Sequence, residues 1–270
     1  MERKKTSIPY SDIDMDHWKD YDDILTDSLW MLKSRQSTNG HVFDYHGNFI
    51  PQIANQVFRR YTKENDIVVD WFLGSGTSAI EAANLNRRLI GVELKAELVE
   101  YVAGKLPSEA LDSKIKLIQG DSASNVAKTA VESALAKMGE KKAQLAVLHP
   151  PYADIIKFSD MKSDLSNCSS TDDFLDGFKA VAQNAYDTLE DGRFAVLIIG
   201  DKYCAGELDP LGFKCMQVMN DVGFHTKSII VKNIEGNEIA KGKSNNLWRY
   251  RALRGGFYIF KHEYVIIFFK

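Results

Sequence analysis

"DWFLGSGTSAIEA", residues 70–82, is the stretch on which the fold turns. The apolar run "DIVVDWF" (66–72) reads as a buried strand, glycines at 74 and 76 break it, and "SAIEAANLN" (78–86) continues as a helix. A strand that turns through glycine into a helix brings unpaired helix N–H groups to the strand's carboxyl end, where backbone can approach a ligand closely. Gly74-Ser-Gly76-Thr77-Ser-Ala79 also fits G-x-G-x-x-G/A. By itself that pattern is compatible with a dinucleotide site, another nucleoside site or a plain tight turn.

Outward from this turn, strands and helices alternate. Further strands read "RLIGVEL" (88–94), "IKLIQGD" (115–121), "QLAVLHP" (144–150), "GRFAVLIIGD" (192–201), "HTKSIIVKNI" (225–234) and "EYVIIFFK" (263–270). Helical spacing falls on 51–62, 96–106, the stretch before Lys141, 172–190 and 211–223. This order predicts an α/β fold with a mostly parallel seven-stranded sheet and helices on both faces. The last two strands lack a typical crossover helix between them and are expected to pair as a C-terminal antiparallel hairpin with a long tip. A short helix is expected around Asp22–Lys33. A single domain, 1–270, accommodates all of this: an N-terminal wrap (1–46), a core (47–234), a projecting loop (235–262) and a last strand (263–270).

The bulk numbers exclude several classes. At 44% hydrophobic and 26% charged, the 270-residue chain has the composition of a soluble globule. Three cysteines, Cys168, Cys204 and Cys215, show no CxxC pairing and are odd in number, which points to a reducing cytoplasm rather than a disulfide framework. No run approaches membrane-spanning length, and the basic N-terminus lacks the apolar core of a signal peptide. His41 and His46 have no recognised ligand spacing, so no metal site is expected. Net charge is −3, but its distribution is uneven. Seven aspartates fall within 12–27, whereas "AKGKSNNLWRYRALRGG" (240–256) carries Lys241, Lys243, Arg249, Arg251 and Arg254 with Trp248 and Tyr250 interleaved. Cations alternating with aromatics suit contacts to phosphate and base, although mixed loops of this kind also occur on ordinary surfaces.

Two acids extend the glycine turn into a pocket. Glu93 ends the second long strand, where a carboxylate can accept from ribose hydroxyls, and Asp121 ends the third, placed to accept from an adenine amino group. The fourth strand ends in His149-Pro150-Pro151-Tyr152. Two prolines in succession cannot donate backbone hydrogen bonds, so the strand must stop there, next to the first strand at the topological switch point.

Here the sequence resembles the DNA amino-methyltransferases, which act on adenine N6 or cytosine N4 with S-adenosylmethionine. "DWFLGSGT" is similar to that family's cofactor loop, "HPPY" to its [DNS]-P-P-[YF] corner, and "HGNFIPQIANQVFRRYT" (46–62) to the segment that closes over the cofactor's methionine end. The resemblance implies a class I, Rossmann-like methyltransferase fold. It implies cofactor contacts from Asn48, Phe49, Ile50, Pro51, Asp70, Phe72, Gly74, Gly76, Thr77, Glu93 and Asp121. It assigns the target base to His149, Pro150, Pro151 and Tyr152, and DNA to Lys241, Lys243, Trp248, Arg249, Tyr250, Arg251 and Arg254. DNA is the implied partner; RNA, and an inactive cofactor- or DNA-binding subunit, are the alternatives, and a homodimer or separate specificity partner stays open. His149 departs from the family's usual Asp, Asn or Ser. A neutral imidazole still offers one acceptor nitrogen to an amine N–H, and a protonated one does not. Cytosine C5 chemistry is disfavoured because no cysteine follows a proline.

Overall fold

The computed structural model describes residues 8–38, 40–41, 47–204, 206–234 and 245–270. The strands are β1 (Leu29–Trp30), β2 (Ile67–Asp70), β3 (Arg88–Glu93), β4 (Ile115–Gln119), β5 (Ala143–Leu148), β6 (Leu189–Ile199), β7 (Lys202–Cys204), β8 (Glu207–Asp209), β9 (His225–Asn233) and β10 (His262–Phe269). The helices are α1 (Pro51–Tyr61), α2 (Thr77–Asn84), α3 (Ala96–Lys105), α4 (Ser108–Ser113), α5 (Asn125–Lys137), α6 (Thr171–Thr188), α7 (Leu211–Val222) and α8 (Asn245–Gly255).

Eight strands form one sheet in the order β1-β9-β10-β6-β5-β2-β3-β4, and β7 and β8 form a separate small hairpin. β10 alone runs antiparallel, inserted between β6 and β9. The expected C-terminal antiparallel pair is therefore present. β2 and β5 are fully buried along their length and are mostly apolar, interrupted by Asp70 and Gln144, as parallel strands covered on both faces tend to be. One face is covered by α1, α2 and α3 around Phe58, Ile80 and Val102. The other is covered by α5, α6 and α7 around Val131, Phe178 and Met219. β2 pairs with β3 on one side and β5 on the other. The chain thus leaves β2 in one direction and returns to its far side, which opens a crevice at the carboxyl ends of β2 and β5.

Two local expectations are corrected. The helix expected over Asp22–Lys33 is absent: a short 3-10 helix occupies Met15–Asp20, and Leu29–Trp30 joins the sheet edge parallel to Val231–Lys232. Tertiary pairing decides here, because Asn233 clamps Leu32 through both its N–H and its carbonyl. The long hairpin tip contains a helix, α8, where only a loop was expected.

Candidate functional site

The crevice is a cavity of about 710 Å³. Its floor is the turn after β2. Gly74 has φ +54 and its N–H donates to Glu93 Oε2 at 2.8 Å, while Lys95 N–H donates to Glu93 Oε1 at 2.9 Å. Each Glu93 oxygen keeps a lone pair for a further donor. Burial raises the Glu93 pKa and these two backbone bonds oppose the rise. Asp121 lines the same cavity and accepts from Ala123 N–H through Oδ1, and its Oδ2 has no hydrogen bond among the described residues.

Of the cofactor residues expected from sequence, Asn48, Phe49, Phe72, Gly74, Thr77, Glu93 and Asp121 line the cavity. Ile50, Pro51, Asp70 and Gly76 do not. Ile50 caps α1, and Pro51 is buried as its first residue. Asp70 is fully buried, accepting from Phe72 N–H at 2.9 Å and from the Ser78 hydroxyl, so it shapes the turn from beneath. Gly76 caps α2 with φ +86, and a Cβ there would lie 2.7 Å from Val102. Its glycine is required by helix packing rather than by ligand approach.

The corner forms the opposite wall. His149, Pro150, Pro151 and Tyr152 all line the cavity. The His149 ring stands edge-on to Phe49 at 5.2 Å and to Tyr152 at 5.8 Å, and the imidazole has no hydrogen-bond partner among the described residues. Burial pushes its pKa down to about 4; Glu263 opposes that shift and Lys232 adds to it. The imidazole is therefore neutral near pH 7, with its acceptor nitrogen uncommitted.

Several residues that line the cavity or support its walls escaped the sequence reading. Glu263 accepts from the Tyr152 hydroxyl at 3.0 Å. Lys95 donates to Phe158 O at 3.3 Å, and a Cβ at Gly47 would lie 2.9 Å from the Phe158 ring, so the segment after the corner meets the segment before α1. Arg35 binds the carbonyls of Asn48 and Phe49 at 3.3 and 3.1 Å, holding that segment in place. Charges at the ends of the apolar runs of β9 and β10, Lys232 after Ile229–Val231 and Glu263 before Tyr264–Phe268, were the available signal for this pair. Arg35 and Phe158 had none.

Of the expected DNA contacts, Lys241 and Lys243 lie outside the described residues. Trp248, Arg249, Tyr250, Arg251 and Arg254 fall on α8. Arg251 packs over the Trp248 ring at 5.2 Å, and Arg249, Tyr250, Arg251 and Arg254 are exposed.

The donor set fits a nucleoside methyl donor: backbone open to close approach at Gly74, the Glu93 carboxylate with lone pairs to spare, and the Asp121 carboxylate with one oxygen unengaged among the described residues. Solved structures of similar fold include TrmN from Thermus thermophilus (TM-score 0.51, 14% identity, 83% of this chain and 50% of that one) and the cyclase SpnF (TM-score 0.52, 12% identity, 82% and 81%). In sequence, the type II methyltransferase M.MjaII of Methanocaldococcus jannaschii is 29% identical over 97 residues, 32% of this chain and 18% of that protein. The type II methyltransferase M1.MboII of Moraxella bovis is 43% identical over 47 residues, 17% of this chain and 18% of that protein. The aligned segments thus span less than a fifth of either relative. The DNA methylase family profile, by contrast, matches residues 2–104 and 143–270. The chain belongs to that family, the DNA amino-methyltransferases, whose cofactor is S-adenosylmethionine.

Proposed function

We propose that this chain methylates DNA at an exocyclic amine, adenine N6 or cytosine N4, of a base turned out of the duplex into the cavity. One observation carries the reading: the Glu93 and Gly74 rim and the His149–Tyr152 corner line a single cavity. When bound, S-adenosylmethionine supplies an electrophilic methyl group on a sulfonium. The amine is a poor nucleophile because its lone pair is conjugated into the ring. Neutral His149 and the Pro150 carbonyl accept its N–H groups, which orients the nitrogen and favours its pyramidal form. The nitrogen gains the methyl carbon as the carbon–sulfur bond breaks with its electron pair staying on sulfur, and it sheds one proton, which a neutral imidazole can take. Tyr152 stacks on the base. Asn48 and Phe49, held by Arg35, close the cofactor end, and α8 supplies cations and aromatics for the DNA backbone.

Transfer of labelled methyl from S-adenosylmethionine to duplex DNA, single-stranded DNA and tRNA tests this, with nucleoside mass analysis of the product. The expected result is N6-methyladenine or N4-methylcytosine in DNA, and loss of both transfer and cofactor binding in Glu93→Ala. Cofactor binding without transfer to DNA would overturn the reading.

A further inference from the structure

Tyr152 is tied to the far end of the chain. Its hydroxyl donates to Glu263 Oε2 at 3.0 Å, and Lys232 Nζ donates to Glu263 Oε1 at 2.8 Å. Lys232 and Glu263 are register partners across β9 and β10, both at least nine-tenths buried, with relative exposures of 5% and 8%. The ring is confined on another side by Gly200, where a Cβ would lie 3.0 Å from Tyr152 Cε2. The His149 ring meets it edge-on at 5.8 Å. Buried ion pairs contribute little net stability, because desolvation offsets their attraction, and apolar pairs of similar volume commonly serve as well. Stability alone therefore does not account for a charged pair whose carboxylate member, Glu263, lines the cavity, whereas orientation of the group it binds does.

We propose that Glu263, fixed by Lys232, is a positioning residue that holds the Tyr152 ring in the orientation in which it receives the target base. The inference rests on the proposed function for what Tyr152 receives, but the anchoring itself is separate. Without the carboxylate, the ring keeps its place against Gly200 and His149 but loses the bond that sets its rotation. A catalytic wall displaced by about 1 Å costs up to about a hundredfold in rate.

The test removes the pair without stranding either charge. Lys232→Met with Glu263→Leu takes away the acceptor, and Lys232→Met with Glu263→Gln keeps one. Turnover on duplex DNA is expected to fall at least about tenfold in the Leu pair, with S-adenosylmethionine affinity unchanged, and to be largely restored in the Gln pair. Tyr152→Phe should match the Leu pair, and combining the two should bring no further loss. In protein carrying 3-fluorotyrosine, the Tyr152 resonance, assigned by its loss in Tyr152→Phe, should shift in the Leu pair and return towards its native position in the Gln pair. Native turnover in the Leu pair, or an unmoved fluorine resonance, would overturn the proposal. If the Leu pair does not fold, native turnover in Tyr152→Phe overturns it equally. If the wild type methylates no nucleic acid, the proposed function falls and the fluorine shift alone decides the anchoring.

Discussion

In the proposed reaction His149 would accept from an amine only while its ring is uncharged, and burial favours that form. Its folded pKa of about 4 lies below the ordinary 6.5. The unfolded chain therefore binds the extra proton between those values. This group's contribution to stability is present above pH 6.5 and is lost as pH falls towards 4. Urea midpoints from pH 8 to pH 4 are expected to fall further in wild type than in His149→Asn, and parallel curves would place the acid sensitivity elsewhere. Turnover should be insensitive to this imidazole from pH 8 down to about 5. Asp70 behaves oppositely. Burial raises its pKa to about 6, with the Ser78 and Phe72 bonds resisting. Its stabilising contribution is full below the ordinary 3.8 and is lost as pH rises through about 6. Asp70→Asn is expected to gain thermal stability relative to wild type at pH 8 and to gain less at pH 5, with melting curves at the two values as the check.

At the scale of elements, α8 carries the proposed DNA contact. Each phosphate neutralised releases counterions, so the affinity of such a helix depends steeply on salt. Arg249→Ala with Arg251→Ala should weaken duplex binding and flatten the plot of log affinity against log salt by about two charges' worth, leaving S-adenosylmethionine affinity unchanged. Fluorescence anisotropy across a salt series measures both, and an unchanged slope would move recognition off this helix. α8 was legible only as cations among aromatics, since its described large apolar side chains Leu247 and Leu253 are exposed and show no buried helical stripe. Its trailing segment stacks Phe260 on Tyr203 of β7 and sets Phe257 against the same ring at a tilt. The seven long strands were legible because each centres on a short cluster of apolar residues between punctuating residues, Ile229–Val231 in β9 and Val265–Phe268 in β10 among them. β1 was not, because two residues carry no period and their pairing belongs to β9. The glycine turn was legible as a site, but the division of labour within it was not. Asp70 and Gly76 support the loop from beneath and from the α3 side, contacts that chain spacing cannot reveal.

At the scale of the whole molecule, the site depends on a sheet that gathers distant parts of the chain. Phe49 reaches it from before α1, the corner from β5, and Glu263 from β10. β10 fills the gap between β6 and β9 and buries Tyr264, Val265, Ile266, Ile267 and Phe268. At about 1.5–3 kcal/mol for each large apolar side chain, this strand contributes on the order of 10 kcal/mol, comparable to the whole stability of a typical domain. Among its described residues the excursion between β9 and β10 shows no such burial: Leu253 and Tyr258 are 71% and 87% exposed. Its two ends already meet, because Ile234 N–H donates to Lys261 O at 2.8 Å. Joining Ile234 to Lys261 through an Asn-Gly turn should therefore leave the sheet intact, since a two-residue turn suits an antiparallel pair. The shortened chain is expected to fold cooperatively and to bind S-adenosylmethionine, because the Glu93 and Gly74 rim lies across the sheet from the deletion. It should lose duplex binding along with α8. Circular dichroism melting, calorimetry with the cofactor and anisotropy with DNA separate these outcomes. Retained DNA affinity in the shortened chain would place recognition on another surface, and loss of folding would show that the Tyr203 ring contacts, rather than β10 alone, hold this half of the sheet.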